Sequence, residues 1–223
     1  MNSSLANAFN AVEHVLNLFD LPLMIDKYDF VFARHFTLAA MRNPGLIVVS
    51  ANHSMPPFKQ RQMFIQELAR QHFGNLATCS WWSNLWLNEG LANLYATDAS
   101  EGGWEHITQR MDVFSADINE GEGVLRMIRS TIGTVVWNRA IKKYLDKFAY
   151  STATHIDFIE SIVSGVNEYD PQMFRELLRG WIEQKGYPIL KVTRLDDRVE
   201  ITQSRFHAGH EKENYRDTKR RTR

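Results

Sequence analysis

Residues 64–90 read FIQELARQHFGNLATCSWWSNLWLNEG, and the architecture turns on how that run is understood. Its first part places Gln66, Glu67 and Arg70 inside one five-residue frame, and side chains four residues apart share a face of a helix. Two histidines at the ends of such a frame grip one metal ion. The glutamate after the first can take a proton from metal-bound water, and a ligand from a neighbouring helix completes the set. Here the ends are Gln66 and Arg70, and Glu89 follows Arg70 after 18 intervening residues. The run keeps the frame of a metal helix, with a neutral amide and a guanidinium where ligands belong.

Outward from this run the pattern alternates between short strands and longer helices. YDFVFAR (28–34) and GLIVVS (45–50) are rich in aromatic and β-branched residues and predict strands, with a turn at Asn43-Pro44-Gly45 between them. Pro56-Pro57 precedes a helix over about 59–73 that Gly74 stops, and a second helix runs from about Asn84 to Tyr95. Helical spacing recurs over 8–18, 104–115, 122–129, 134–147, 155–164 and 171–185, the last with Asp170 as N-cap, Pro171 at its first position and Gly186 after its end. ILKVTRL (189–195) and RVEITQS (198–204) flank Asp196-Asp197 as a β-hairpin. From His207 the chain carries many charges and no aliphatic side chain larger than alanine, the composition of a disordered tail.

The whole chain has 223 residues, 44% hydrophobic and 23% charged, with zero formal net charge. That supports a sizeable core, and gives no basic stripe for nucleic acid. No run of about 18 apolar residues predicts a membrane span. The N-terminus lacks the basic start and apolar core of a signal peptide. Asn2-Ser3-Ser4 and Asn52-His53-Ser54 fit the glycosylation tripeptide, which matters only in a secreted chain. The single Cys79 excludes an internal disulfide and reads as a buried apolar thiol. Trp81-Trp82 reads as core, His72 as a packed or surface histidine, and His207, His210 and the Lys219-Arg220-Arg221 cluster as parts of the solvated tail. A G-x-S-x-G elbow and a Walker loop are absent, and Gly121-Glu122-Gly123 lacks the third glycine of a dinucleotide loop.

The run FGNL (73–76), Trp81-Trp82 and LWLNEG (85–90), behind the frame at 66–70, closely resembles the gluzincin aminopeptidases, the aminopeptidase N family of zinc exopeptidases. The resemblance extends to IDKYDFVFARHFTLAAMRNPGLI (25–47), GEGVLRMI (121–128) and Gly186-Tyr187-Pro188, covering about residues 10–206. It implies an α+β fold of thermolysin type, a small sheet ahead of a mainly helical lobe. It also implies a catalytic-type domain over 1–187 and the start of a β-sandwich domain over 188–206, before a basic tail over 207–223. By the same resemblance Glu67 is the general base and Glu89 the third zinc ligand, while Ala40, Arg42 and Asn43 belong to the exopeptidase motif.

Several positions depart from the family pattern. Gln66 and Arg70 stand at the two histidines, Arg42 at the glutamate that holds a substrate's α-amine, and Ile118 at a transition-state tyrosine. At 4 Å and an effective dielectric of 20, a guanidinium repels Zn²⁺ by about 8 kcal/mol. No cofactor is therefore expected, although the family's is zinc. Arg70 is expected to replace the metal electrostatically, paired with Glu89 and Glu67, and Arg42 to prefer an anion. The expected function is an inactive aminopeptidase-like protein that binds peptide or protein, related aminopeptidases included. A working zinc aminopeptidase and a truncated product without independent function are the alternatives. No compartment follows, beyond the cytoplasm if the chain is complete; family members are often at the plasma membrane or extracellular.

Overall fold

The computed structural model describes residues 25–52, 55–99, 120–167, 170–184, 188–195 and 198–206. The expected helices over 8–18 and 104–115, Ile118 and the tail from His207 lie outside them. The described chain is α+β, and it divides into two compact units, Met1–Leu178 and Arg179–Arg223.

In the first unit β1 (Asp29–Ala33), β2 (Ala40–Asn43) and β3 (Leu46–Ser50) form one sheet in the order β1-β3-β2. β3, the apolar strand LIVVS, is central: it runs parallel to β1, with Phe30 opposite Ile47, and antiparallel to β2, with Arg42 opposite Ile47. Gly45 takes a positive φ of 71° in the turn between β2 and β3, a backbone state that a side chain disfavours. β2 is an addition to the sequence reading. Its four residues, AMRN, contain no β-branched side chain, so only the pairing reveals them as a strand.

Helix α1 (Pro57–His72) opens with proline in its first turn, where a missing N–H costs nothing. It buries Phe64, Ile65, Leu68 and Ala69, and Phe30 meets Phe64 edge-on at 5.7 Å between ring centroids. A 3-10 turn (Trp82–Asn84) leads into α2 (Leu85–Ala99), which runs four residues beyond the expected end at Tyr95. α2 buries Leu87, Leu91, Ala92, Leu94, Tyr95 and Ala96, most of its circumference. A helix apolar nearly all round must be packed on several sides, and α2 lies against both α1 and α3 (Glu120–Ile132). The α2–α3 approach is closest at two glycines: a Cβ on Gly90 would stand 2.9 Å from the carbonyl carbon of Gly121.

Helix α4 (Thr134–Lys147) follows its expected bounds, and α5 (His155–Val163) packs against it. Trp137 donates its indole N–H to the buried Tyr95 hydroxyl at 3.0 Å, tying α4 to α2. Thr154 and Asp157 close a capping box at the start of α5. Two further strands escaped the sequence reading, β4 (Ala77–Cys79) and β5 (Ser151–Ala153), which pair in parallel. Three residues are too few to show a period of two.

Helix α6 (Pro171–Glu183) is capped by Asp170, whose carboxylate accepts from the Met173 N–H at 2.8 Å. In the second unit β6 (Pro188–Arg194) and β7 (Val199–Arg205) form the expected antiparallel hairpin, with Val192 opposite Ile201. No helix among the described residues is long and apolar enough to cross a membrane.

Candidate functional site

The α1–α2 contact places Glu67, Arg70 and Glu89 together, and β2 adds Arg42 from the sheet. Arg70 donates from Nε to Glu89 Oε2 at 3.1 Å, and from Nη2 to the same oxygen. Its Nη1 donates to Glu67 Oε1. The second Glu89 oxygen, Oε1, accepts from Arg42 Nη2 at 3.1 Å. Two arginines and two glutamates thus alternate in one chain of charge-assisted bonds. The expected contact of Arg70 with Glu89 and Glu67 is present, and Arg42, expected to await an anion, already holds part of one.

Burial decides how these bonds count. The side chain of Glu67 is 4% exposed, Arg70 16%, Glu89 19% and Arg42 29%. The solvent-facing limit, where ion pairs contribute little, therefore does not apply to Arg70 and its partners. Burial pushes the Glu67 carboxyl above the ordinary range, against the opposing pull of Arg70 and Arg42. Its Oε2 is buried without a hydrogen-bond partner among the described residues.

Gln71 sets the position of Arg42. Its amide donates to the Asn43 carbonyl at 3.2 Å and accepts from the Gly45 N–H at 3.3 Å and from Asn75 Nδ2 at 3.0 Å. The turn after Arg42 is thereby pinned to α1. Gln71 was missed in the sequence, although it carried a signal: it continues the buried stripe of Phe64 and Leu68 at helical spacing. A polar residue on such a stripe needs buried partners. Gln66, at the other end of the frame, donates instead to Asn93 Oδ1 on α2. Of the residues expected to form an exopeptidase motif, Ala40 and Asn43 sit at the two ends of β2 with Arg42 between them.

The structure corrects two readings beside this cluster. Trp81 and Trp82 are 69% and 76% exposed rather than core residues, because Trp81 is extended beyond the end of β4 and Trp82 opens the 3-10 turn at the surface. Cys79 is half-exposed rather than buried, at the last position of β4. Both tryptophans, Cys79, Arg42 and Asn88 line a cleft of about 360 Å³. His72 is buried on α1, as one of the two expected options, and burial holds its imidazole below the ordinary range.

A family model described as the Peptidase family M1 domain matches residues 4–120. Aminopeptidase M1 of Arabidopsis thaliana is 31% identical over 230 residues, covering 84% of this chain and 26% of that protein. Aminopeptidase N of Haemonchus contortus is 30% identical over 270 residues, covering 97% of this chain and 28% of that protein. Human aminopeptidase N is 27% identical over 238 residues, covering 83% and 25%. The chain spans about a quarter of the length of these curated relatives.

Proposed function

The chain belongs to peptidase family M1, and from that premise we propose that its cleft has been turned from peptide hydrolysis to peptide or protein binding. The observation that carries this reading is the Arg70 guanidinium, which donates to both Glu67 and Glu89. In a zinc aminopeptidase of this family those two carboxylates serve the metal and its water. Here a protein cation stands between them.

The donor set does not fit zinc. Arginine offers five N–H donors and no lone pair, and it stays protonated in proteins. Gln66 supplies only a neutral amide, already bonded to Asn93. Among the described residues no three His, Cys, Asp or Glu side chains gather as a metal-binding group. Glu67, the family's base, has its Oε1 engaged by the Arg70 guanidinium, so that oxygen is committed to an ion pair and not to a water. On this reading Glu67 and Glu89 are vestigial, the fold is of thermolysin type, and the hairpin from Pro188 begins a further β domain.

Two measurements test the proposal. Elemental analysis of the dialysed protein should find zinc far below one atom per chain. Chromogenic amino-acid amides should be released no faster than by a Glu67→Ala control. Chelator-sensitive turnover well above that control would restore the aminopeptidase reading.

A further inference from the structure

The cleft beside the ion-pair cluster has an uneven chemistry. Among the described residues, Arg42 is the charged side chain in its wall, and no carboxylate lines it. Glu89 has both its oxygens engaged, Oε1 by Arg42 and Oε2 by Arg70. An ammonium group entering here meets a cation and, among the described lining residues, no acceptor of opposite charge. A carboxylate meets a guanidinium already held in orientation by Glu89, on a strand whose turn Gln71 pins.

Three further features favour such a ligand. The single hydrogen bond of Arg42 among the described residues uses Nη2, leaving the rest of its five-donor fork for a second partner. Gly74, at φ 144°, stands next to that fork: a Cβ there would lie 3.7 Å from Arg42 Nε and Nη2. Its missing side chain keeps the guanidinium uncovered. The adjoining wall presents Trp81 and Trp82, both largely exposed, and flat apolar rings of this kind stack on planar or aliphatic groups.

We propose that this cleft binds a carboxylate carried beside an apolar or aromatic side chain, as at the free C-terminal end of a peptide, with Arg42 taking the acid and Trp81-Trp82 the side chain. This rests on the reading of the cleft as a binding site and names its ligand class. Its volume of about 360 Å³ falls at the small end of ligand clefts, about 300–1,000 Å³, which suits a short chain end.

The full 223-residue chain is titrated, with tryptophan fluorescence as readout, against four peptides: N-acetyl-Leu-Phe as free acid, the same peptide as C-terminal amide, N-acetyl-Glu-Phe-amide, and Leu-Phe-amide with a free amine. The free acid should saturate, and the two peptides without a carboxylate should bind about tenfold more weakly or not at all. N-acetyl-Glu-Phe-amide separates the two sources of the acid: equal binding assigns any carboxylate, weak binding assigns the chain end. Added salt should weaken the acid and leave the amide unchanged. Arg42→Gln should erase the preference for acid over amide, while Trp82→Ala, at an exposed position, should weaken both alike. If Arg42→Gln fails to fold, the peptide series and its salt dependence on the unaltered chain decide.

Equal binding of acid and amide, saturation by the free amine alone, or no saturable signal from any peptide would overturn the proposal. The acetylated peptides have blocked N-termini, so their binding is read independently of aminopeptidase activity. Turnover of amino-acid amides would sink the inactive reading and leave this result standing.

Discussion

Replacing Arg70 by alanine removes a cation from between two carboxylates that are 4% and 19% exposed. Breaking a buried pair from one side leaves an uncompensated charge, and costs about 3–5 kcal/mol. Urea unfolding of Arg70→Ala should show a loss of that order. Arg70→Ala combined with Glu89→Gln should lose less than the two single changes summed, because the second removes one of the two charges that the first strands. Additivity to within about 0.5 kcal/mol would show the groups to be uncoupled.

His72 gives the pH dependence. Burial lowers its proton affinity in the folded state, a hydrogen bond to the Leu68 backbone opposing the shift. The folded form therefore binds a proton less readily than the unfolded one. The associated stability is present above the ordinary value, about 6.5, and is lost as the pH falls through the lowered one. Tm should drop as the pH falls below about 6.5, and His72→Phe should flatten that drop in a calorimetric series. Much of this residue-level picture was legible: the frame at 66–70 and the glutamate at 89 lie in the sequence, helical spacing puts 66 and 70 on one face, and the family resemblance implies that Glu89 meets them. Arg42 joining Glu89 was not, since that contact depends on a strand that its own four residues do not announce. The exposure of Trp81-Trp82 was not legible either, because an adjacent aromatic pair carries no period to say which way it faces.

Gly90 and Gly121 set the distance between α2 and α3, and two alanine substitutions separate packing from propensity. Gly90→Ala forces a methyl to 2.9 Å from the Gly121 backbone, and overpacking of this kind costs about 1–3 kcal/mol. Gly123→Ala, on the same α3 with nothing within 4 Å of its Cβ, should instead stabilise by about 0.5–1 kcal/mol. Opposite shifts in the denaturation midpoint are the expected outcome, and shifts of one sign would discount the close approach. At this scale long periodic elements were the readable ones. α4 and the start of α6 carry their boundaries in their own residues, Pro171 after Asp170 above all. β4 and β5 are invisible locally because each three-residue strand exists only through the other.

The hairpin of the second unit exposes Leu190, Val192, Val199 and Ile201, and Val192 and Ile201 are direct cross-strand neighbours. A two-stranded hairpin is marginal in water, and contiguous apolar surface favours association. Light scattering should therefore report a mass that rises with concentration, reduced in a Val192→Lys, Ile201→Lys double variant; a concentration-independent monomer mass would contradict this. The hairpin was legible as two runs flanking a turn, whereas its uncovered face became apparent only with the fold. A different property of the whole molecule follows from the parallel ladder that joins Ala77 to Ser151. Pairing across so long a span pays its loop-closure entropy before any contact rewards it, so the ladder is expected to close after α2, α3 and α4 have folded back. The strand carrying Thr78 and Cys79, one wall of the cleft, is thus expected to set late in folding, after the helices between the paired strands have formed.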